Sequence, residues 1–297
     1  MAFYDDLETR SADERANDLR RDLPGAIARA KTAPALARIL QGIDPEAITT
    51  REALAGLPVI RKSELSEAQK KAPPFGGFAT RRPHEFEHIF QSPGPIYEPG
   101  MRGADWWRLG RFLFAAGVGA GDIMQNCFGY HLTPAGMMFE SAARAAADIG
   151  TTVYAGTPDY LKLILDKADE MGERLALRRA TVSGGALFPA LRLAYADRGI
   201  ATTQCYATAD LGLIAYESPA MQGMIVDEGV IVEIVRPGTG TPVPEGEVGE
   251  VVVTTLNGDY PLVRFATGDL SAVLPGTSPC GRTNLRIKGW MGRADQT

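Results

Sequence analysis

Two short segments in the second half of the chain carry residues that could bind a charged ligand. Ser183-Gly-Gly-Ala follows a run of β-branched residues, and Tyr206-Ala-Thr-Ala-Asp ends the next such run with an aromatic ring, a hydroxyl and a carboxylate. Glycines let a ligand approach the backbone closely. In an open parallel sheet, ligands bind beyond the carboxyl ends of the strands. The two segments therefore predict one shared pocket.

A second set of polar residues lies nearer the end of the chain. Arg264 ends a predicted strand over 261–265, and Asp269 follows on a predicted glycine turn. A short carboxylate there can accept hydrogen bonds from both hydroxyls of a ribose. Arg293 supplies a guanidinium suited to phosphate or ribose oxygens. Each of these residues also has a structural alternative. Gly184-Gly185 and Asp269 could simply form turns, and Arg293 could be a solvated surface charge.

Several kinds of catalytic chemistry find no support in the sequence. The three cysteines, Cys127, Cys205 and Cys280, form no C-x-x-C pair, which predicts reduced thiols. With only three histidines in the chain, a site built from several imidazoles is not expected. No G-x-S-x-G elbow is present either. The sequence therefore offers no convincing nucleophile for covalent catalysis.

The bulk composition narrows the class of protein. A chain of 297 residues with 45% hydrophobic residues can bury a substantial core. The formal net charge is −5 and no basic run is long enough to follow a nucleic-acid backbone. No stretch approaches about 18 consecutive apolar residues, and the N-terminus is acidic where a signal peptide is basic. We predict a cytoplasmic protein that binds neither nucleic acid nor a membrane.

Hydrophobic periodicity predicts an α/β fold with three consecutive parts. Residues 1–75 are predicted to be a helical lead-in. Residues 76–215 alternate strands with helices, which predicts mostly parallel sheets covered by helices. Residues 216–297 carry short strands between Pro/Gly turns, which predicts a β-rich subdomain in the form of a distorted barrel.

Two helix boundaries can be predicted from local signals. In the lead-in, helices over 13–23 and 26–40 should be separated at Pro24-Gly25, because proline interrupts the helical hydrogen bonds. In the α/β part, the apolar positions between 104 and 116 predict one helix that is capped by Asp105 or a neighbour and ends at Gly117.

The order of the short motifs along the chain is that of a known family. Ser183-Gly-Gly-Ala and Tyr206-Ala-Thr-Ala-Asp are followed by Pro242-Val-Pro-Glu-Gly-Glu-Val-Gly-Glu, Arg264-Phe-Ala-Thr-Gly-Asp-Leu, Cys280-Gly-Arg-Thr and Gly292-Arg-Ala-Asp. This succession resembles the adenylate-forming acyl- and aryl-CoA ligases, in particular the large N-terminal domain of the phenylacetate-CoA ligase type. The resemblance implies a two-step reaction, in which ATP and Mg²⁺ activate a carboxylic acid to an acyl adenylate and coenzyme A then takes the acyl group.

The resemblance also implies roles for individual residues. Tyr206 would flank the adenine, and Asp269 would bind the ribose hydroxyls. Three residues would be catalytic: Thr208 would touch the phosphate, Asp210 would help to hold Mg²⁺ where the family has a glutamate, and Arg293 would lie beside the nucleotide near the hinge. The remaining nucleotide contacts implied by position are Gly184, Gly185, Ala186, Ala207 and Arg264.

The acyl group would lie against Tyr130 and His131, which match the place where these ligases put an aromatic residue or a histidine. The sequence leaves a second reading of His131 open, as a strand-end histidine that hydrogen-bonds to the backbone. Further residues expected near the acyl group are Phe128, Phe139 and Leu187. This lining suggests an aromatic or medium-sized apolar acid.

The predicted phosphate loop departs from the family pattern. These loops are rich in Ser, Thr and Gly, whereas the stretch over 90–99 contains three prolines, which remove N–H donors from an anion cradle. Ser92 and Gly94 remain as candidate contacts. We expect weak or altered handling of pyrophosphate.

Two further departures concern the length of the chain. A strand and a helix of roughly twenty residues are expected near 147–150, so either this unit is absent or part of the sequence is not included. The chain also ends two residues after Asp295, at about the family's hinge. The small C-terminal domain is therefore expected to be absent, and this chain to bind ligands but to turn over poorly.

Three functions remain open from the sequence. The leading hypothesis is an ATP-dependent ligase that forms the CoA thioester of a phenylacetate-like acid. The main rival is a non-catalytic relative that binds nucleotide or acyl groups after losing the phosphate loop. A third hypothesis is an enzyme that passes the acyl group to a carrier other than CoA. A homodimer would fit the helical N-terminal segment.

Overall fold

The computed structural model describes residues 2–92, 94–101, 103, 105–146, 153–172 and 175–296, with the backbone alone for 141–146 and 296. Contacts divide the chain into two units: unit 1 is Met1–Met101 with Ile225–Thr297, and unit 2 is Arg102–Met224. The predicted lead-in thus shares a unit with the strands at the end of the chain. The strand and helix expected near 147–150 fall outside the described residues. In the described part, no helix has the length and apolar character needed to cross a bilayer.

The first part of unit 1 is mostly helical. Its long first helix begins with a capping box, in which the Ser11 hydroxyl accepts the Glu14 N–H and the Glu14 carboxylate accepts the Ser11 N–H. The elements of this part are α1 (Ala12–Ala30), α2 (Pro34–Ile39), α3 (Arg51–Ala55), β1 (Ile60–Arg61), α4 (Lys62–Lys71), β2 (His88–Ser92) and β3 (Ile96–Gly100).

The predicted break at Pro24-Gly25 is wrong. Helix α1 continues through both residues. Proline removes one backbone hydrogen bond from a helix interior. Here, however, Leu23, Pro24 and Ile27 are all buried, so the burial of this face offsets the lost bond. The break comes later, where α2 begins with Pro34 in its first turn.

Unit 2 has the predicted alternation of strands and helices. Strands β4 to β7 pair in parallel in sequence order, and β8 pairs antiparallel with β7. The core beside this sheet is formed by apolar residues such as Tyr154, Leu161, Val182 and Tyr195. The elements are α5 (Gly110–Ala115), β4 (Met124–Asn126), α6 (Ala135–Ala146), β5 (Val153–Gly156), α7 (Pro158–Glu170), β6 (Arg179–Val182), α8 (Pro189–Asp197), β7 (Ala201–Thr208) and β8 (Gly212–Glu217).

The helix predicted over 104–116 is shorter than expected. Helix α5 covers only the second half of that range, and Gly117 follows it in the left-handed conformation, as predicted for a helix stop. The first half cannot be helical because Asp105 and Arg108 have positive φ angles of 50° and 66°. Asp105 still acts near the helix start, since its carboxylate accepts the Gly110 N–H at 2.8 Å.

The last part of the chain returns to unit 1 and is β-rich. Its strands are β9 (Met224–Val226), β10 (Val230–Val235), β11 (Gly249–Thr255), β12 (Phe265–Ser271), β13 (Val273–Leu274) and β14 (Arg286–Ile287). Strands β10, β11 and β12 pair antiparallel, and β1 from the start of the chain pairs parallel with β12. The expected distorted barrel is wrong, since within the described residues these four strands form an open sheet in the order β1-β12-β11-β10.

Asp269 lies within a strand and not on a turn, because β12 continues through a bulge. The prediction put Asp269 on a turn after a strand over 261–265, but β12 begins at Phe265 and includes Asp269. The register against β11 shifts between Ala266 and Leu270, and Gly268 within this shift has a φ of 75°. Bulges of this kind change the direction of a side chain without ending the strand.

One glycine of this sheet is required by its neighbours. A Cβ atom on Gly249 would lie 2.4 Å from the Val235 carbonyl oxygen, which is backbone and cannot turn away. We expect Gly249→Ala to lower the free energy of unfolding by about 1–3 kcal/mol in urea titrations. Gly25→Ala is the matched control, because Gly25 lies inside α1 and its new Cβ would meet only the end of the Arg29 side chain at 3.4 Å. That variant should gain up to about 1 kcal/mol, and equal midpoints for both variants would contradict the crowding at Gly249.

Candidate functional site

Unit 2 contains an apolar cavity of about 170 Å³ at the carboxyl ends of its parallel strands. Its lining includes Phe128 and Phe139, whose rings stack with centroids 4.8 Å apart. Gly184, after β6, and Thr208, at the end of β7, also line it. Gly184 has a φ of 70°, which a residue with a Cβ rarely adopts, so the sequence requires glycine at this wall.

The predicted residues of this region fall into two groups. Gly184, Ala207 and Thr208 line the cavity, whereas Gly185 and Ala186 are exposed and Tyr206 is buried within β7. Tyr130 and His131, predicted to contact the acyl group, are exposed and are not among the lining residues. The start of α6 lines the cavity as well, with Met138 as its longest side chain, and the prediction did not include this residue.

The loop after β4 is held by hydrogen bonds of its own. The Asn126 side-chain amide donates to the Tyr130 hydroxyl and to the Gly136 carbonyl, both at 2.9 Å. The Gly136 N–H donates to the Gly129 carbonyl at 3.1 Å. The His131 Nδ1 accepts the Leu132 N–H at 2.8 Å, so backbone groups engage this histidine, as in its structural alternative. These contacts fix the loop against the start of α6 and thereby place Phe128.

Gly136 permits this close contact between loop and helix. A Cβ atom there would lie 2.6 Å from the Gly129 carbonyl oxygen and 2.9 Å from the Tyr130 ring. If the acid that the sequence resemblance implies binds in this cavity, Gly136→Ala should displace the loop with Phe128 and weaken binding of phenylacetate, measured by calorimetry, about tenfold. Gly119→Ala in the same unit is the control, since nothing lies within 4 Å of its new Cβ, and it should bind as the wild type does. Unchanged binding by Gly136→Ala would show that the loop does not shape the cavity.

The turn between β7 and β8 carries the residues predicted to act on phosphate and metal. The Thr208 hydroxyl accepts the Leu211 N–H at 3.2 Å, which closes the turn, and Asp210 is buried within it. Across the described residues, no group of three or more His, Cys, Asp or Glu side chains could hold a metal ion. A metal bound at Asp210 would therefore need further oxygens from a ligand or from water.

Two cysteines of unit 2 are unsuited to nucleophilic chemistry. Burial raises the pKa of the Cys205 thiol to about 12 and raises the pKa of the Cys127 thiol as well. The thiolate is the reactive form of cysteine, and a raised pKa keeps both residues protonated at neutral pH. Any thioester chemistry must therefore use a sulfur from outside these two residues.

In unit 1, Asp269 lies between an arginine and a tryptophan. The Asp269 Oδ1 atom accepts a hydrogen bond from Arg293 Nη1 at 3.0 Å and another from the Trp290 indole at 3.2 Å. Arg293 also donates to the Thr267 carbonyl, and it lies against Gly268, where a Cβ would approach its guanidinium to 2.8 Å. Asp269 is buried, whereas about half of Trp290 is exposed. The bulge in β12 thus presents a carboxylate, a guanidinium and an aromatic ring together.

Arg264 has a different setting from Arg293. Its guanidinium donates to both carboxylate oxygens of Glu233 at 3.0 Å and to the carbonyls of Leu57 and Gly240. Only 2% of the residue is exposed. Burial raises the pKa of Glu233, and the pairing with Arg264 opposes that rise. Arg264 lines a separate cavity of about 470 Å³ in unit 1, and these bonds hold its guanidinium at the cavity wall.

The predicted phosphate loop is a β-hairpin formed by β2 and β3. Ser92 is buried, and both its N–H and its hydroxyl donate to the carboxylate of Glu98, which is 1% exposed. Gly94 lies in the turn with a φ of 136°. The hairpin therefore holds a buried carboxylate beside Ser92, in addition to the prolines that lack N–H donors.

Sequence reasoning missed three residues of these sites. Trp290 lies three positions before Arg293, and Met138 lies one helical turn after the cavity wall at Pro134, so neither spacing marks them as ligand contacts. Glu98 had a usable signal, because a carboxylate in a predicted anion-binding loop is unfavourable and invites an explanation. The others depend on contacts that only the folded chain defines.

Phenylacetate-coenzyme A ligases are similar to this chain in sequence. The phenylacetate-coenzyme A ligase of Thermus thermophilus is 28% identical over 289 aligned residues, which cover 86% of this chain and 64% of that protein. That of Escherichia coli is 26% identical over 293 residues with the same coverage. This chain thus spans 64% of the length of the curated relatives that it matches. No protein-family model matches the chain.

Solved structures share the fold. A 2-hydroxyisobutyryl-CoA ligase in complex with 2-HIB-AMP and CoA superposes with a TM-score of 0.89 at 22% identity, covering 97% of this chain and 77% of that one. A long-chain-fatty-acid-CoA ligase from Archaeoglobus fulgidus gives a TM-score of 0.51 at 13% identity, covering 69% and 51%. The chain is therefore similar in sequence to phenylacetate-coenzyme A ligases and shares its fold with solved acyl-CoA ligases.

Proposed function

We propose that this chain activates a carboxylic acid with ATP and transfers the acyl group to coenzyme A. The observation that carries the proposal is the apolar cavity of unit 2, which ends at the strand termini with Gly184 and Thr208. The relatives named phenylacetate-coenzyme A ligase support the same reaction class, as does the solved ligase bound to 2-HIB-AMP and CoA.

The reaction consists of two displacements. First, a carboxylate oxygen of the acid forms a bond to the α-phosphorus of ATP, and the bond to pyrophosphate breaks. Next, the CoA thiolate forms the thioester bond and AMP leaves with the electron pair of the broken carbonyl–oxygen bond. Neither step needs a nucleophile from the protein, which agrees with the raised pKa values of the Cys127 and Cys205 thiols.

The proposed roles of the site residues follow the resemblance. Asp269 accepts hydrogen bonds from the ribose hydroxyls, and Arg293 lies beside the nucleotide. Tyr206 flanks the adenine, and the Thr208 hydroxyl donates a hydrogen bond to the phosphate. Gly184, Gly185, Ala186 and Ala207 leave room for the nucleotide and the acyl group, with Ser92, Gly94 and Arg264 as its remaining proposed contacts and Tyr130 and His131 as those of the acid.

Asp210 is the residue that would hold Mg²⁺. A buried carboxylate in the same turn as Thr208 fits this role, because Mg²⁺ in nucleotide sites is commonly bound by one or two carboxylates, by substrate phosphates and by water. The ion would neutralise phosphate charge. The shorter side chain of aspartate, compared with the glutamate of the family, still supplies the negative charge.

The proposed substrate is an aromatic or similarly compact apolar acid. The stacked rings of Phe128 and Phe139, together with Met138, give the cavity an apolar surface suited to a ring. Phenylacetate is therefore the first acid to test.

A second candidate function is that of a non-catalytic relative that binds nucleotide or acyl groups. The buried Glu98 carboxylate beside Ser92 favours it, because a negative charge in the predicted phosphate loop opposes the binding of further phosphates. Such a protein would still bind AMP or an acyl adenylate.

The two functions are separated by two measurements on the same protein. Calorimetric titration with AMP and with a non-hydrolysable phenylacetyl-adenylate mimic measures ligand binding, and ATP–pyrophosphate exchange with phenylacetate measures the first chemical step. Exchange supports the ligase, whereas tight binding without exchange, measured on a protein that also carries the small C-terminal domain expected of the family, supports the non-catalytic relative. Absence of binding to both AMP and the mimic would contradict both functions.

The acceptor is tested separately. Thioester formation with CoA, followed by mass spectrometry, distinguishes a CoA ligase from an enzyme that passes the acyl group to another carrier.

The proposal includes a cytoplasmic location and a homodimer. Sedimentation tests the homodimer.

A further inference from the structure

The segment before α5 has a strained backbone at two residues that are not glycine. Asp105 and Arg108 have φ angles of 50° and 66°, in a region that residues with a Cβ rarely adopt. The Arg108 N–H donates to the Asp105 carbonyl at 2.7 Å, and the Asp105 carboxylate accepts the Gly110 N–H at 2.8 Å. Such strain persists only where surrounding contacts hold it, and it clusters at functional sites.

The strained backbone directs the Arg108 side chain to the turn between β7 and β8. Arg108 Nη2 donates to the Leu211 carbonyl at 2.5 Å and to the Leu213 carbonyl at 3.0 Å. The Leu213 N–H donates in turn to the Trp107 carbonyl at 3.0 Å. Gly212, between the two carbonyls, has a φ of 72°, and a Cβ there would lie 2.8 Å from the Trp107 oxygen.

These contacts fix the turn that carries two of the proposed catalytic residues. Asp210 immediately precedes Leu211, whose carbonyl Arg108 binds, and the Leu211 N–H donates to the Thr208 hydroxyl at 3.2 Å. A planar guanidinium can hold two acceptors in fixed directions, which a lysine ammonium does less well. Arg108 therefore limits the positions that the Thr208 hydroxyl and the Asp210 carboxylate can take.

We propose that Arg108 is a positioning residue, which holds the turn over Thr208–Asp210 in the geometry that binds a nucleotide phosphate. This inference rests on the proposed function, since it concerns the phosphate side of the nucleotide. It assigns Arg108 no contact with the ligand. Its effect should appear with AMP, which has a phosphate, and not with adenosine, which has none.

Arg108→Gly is the informative variant. Glycine adopts a φ of 66° without strain, so the backbone can keep its path while the guanidinium is lost. Met221→Gly is the matched control, because Met221 in the same unit also has a positive φ, of 52°, but its side chain is 44% exposed. Both variants relax a strained residue, and only one removes contacts to the turn.

Calorimetric titrations with AMP and with adenosine test the proposal. Arg108→Gly should lose about tenfold in AMP affinity and keep its adenosine affinity, while Met221→Gly should bind both as the wild type does. Added methylguanidine should restore part of the AMP affinity of Arg108→Gly. Arg108→Lys, which retains a charge but not the planar guanidinium, should fall between Arg108→Gly and the wild type and serves as a second variant.

The results of these titrations distinguish a failure of the Arg108 role from a failure of the proposed function. If the wild type binds AMP and Arg108→Gly binds it equally well, the positioning role is overturned and the proposed function stands. An equal loss for AMP and adenosine would also overturn it, because a purely structural role lowers both. A wild type that binds neither AMP nor adenosine overturns the proposed function and this inference together.

Discussion

Asp269→Ala is expected to lower the affinity for AMP at least about 100-fold, because hydrogen bonds from two ribose hydroxyls to a carboxylate are worth about 1.5–3 kcal/mol each. The β12 bulge and the donors Trp290 and Arg293 hold this carboxylate in place, so the wild type needs little reorganisation to bind. Thermal unfolding should change little, because about half of Trp290 is exposed and can turn its indole N–H to water. Calorimetry and thermal unfolding of the same preparation provide the two readouts.

Asp295→Ala is the control for this experiment. Asp295 also lies near Arg293, with a separation of 3.8 Å from Nε, but its side chain is 74% exposed. Its removal takes away a similar charge near the same guanidinium without removing the proposed ribose acceptor. AMP affinity should stay close to that of the wild type. Equal losses in both variants would show that net charge near Arg293, and not the Asp269 carboxylate, governs binding.

Glu8→Ala is expected to be among the most destabilising single substitutions in unit 1. Glu8 and Arg282 are 0% and 1% exposed, and Arg282 Nε lies 3.0 Å from Glu8 Oε1. The Phe3 ring lies 5.6 Å from the guanidinium carbon. Removing one partner of a buried pair leaves the other charge without compensation, at a cost of about 3–5 kcal/mol. Urea unfolding followed by circular dichroism measures the loss.

The double variant Glu8→Leu with Arg282→Met is the control for the ion pair. It removes both charges and leaves apolar side chains of similar length, so its stability should lie much nearer to that of the wild type. Lys162→Ala removes an exposed ion pair with Asp166 and should leave the unfolding midpoint unchanged. If the double variant is as unstable as Glu8→Ala, the loss comes from packing around Phe3 and not from the unpaired charge.

The parallel α/β part was predictable because its signals are local. Short β-branched runs and helices at regular intervals predict a mostly parallel sheet, and strands β4 to β7 do pair in parallel. The errors arose where long-range contacts overrule local preference. Burial keeps Pro24 inside α1, and the bonds of Arg108 hold the backbone before α5 out of a helix. The pairing of β1 with β12 joins segments that are distant in sequence, so no local pattern predicts it.

The candidate sites were predictable in their residues but less so in their surroundings. Gly184 and Thr208 were named from their place at strand ends, and both line the cavity. The setting of Arg264 could not be read from its motif, because its partner Glu233 comes from another strand. For the same reason the sequence could not show that Ser92 hydrogen-bonds to Glu98.

The pairing of β1 with β12 has a consequence for the order of events during synthesis. Ile60 leaves the ribosome long before its partner Phe265 is synthesised, so β1 remains unpaired until β12 has been made. Unit 2 is an uninterrupted stretch of chain and has all its strand partners from β4 to β7 available as soon as it is made. The waiting strand is very short and ends in Arg61, which limits its capacity to pair with other nascent chains.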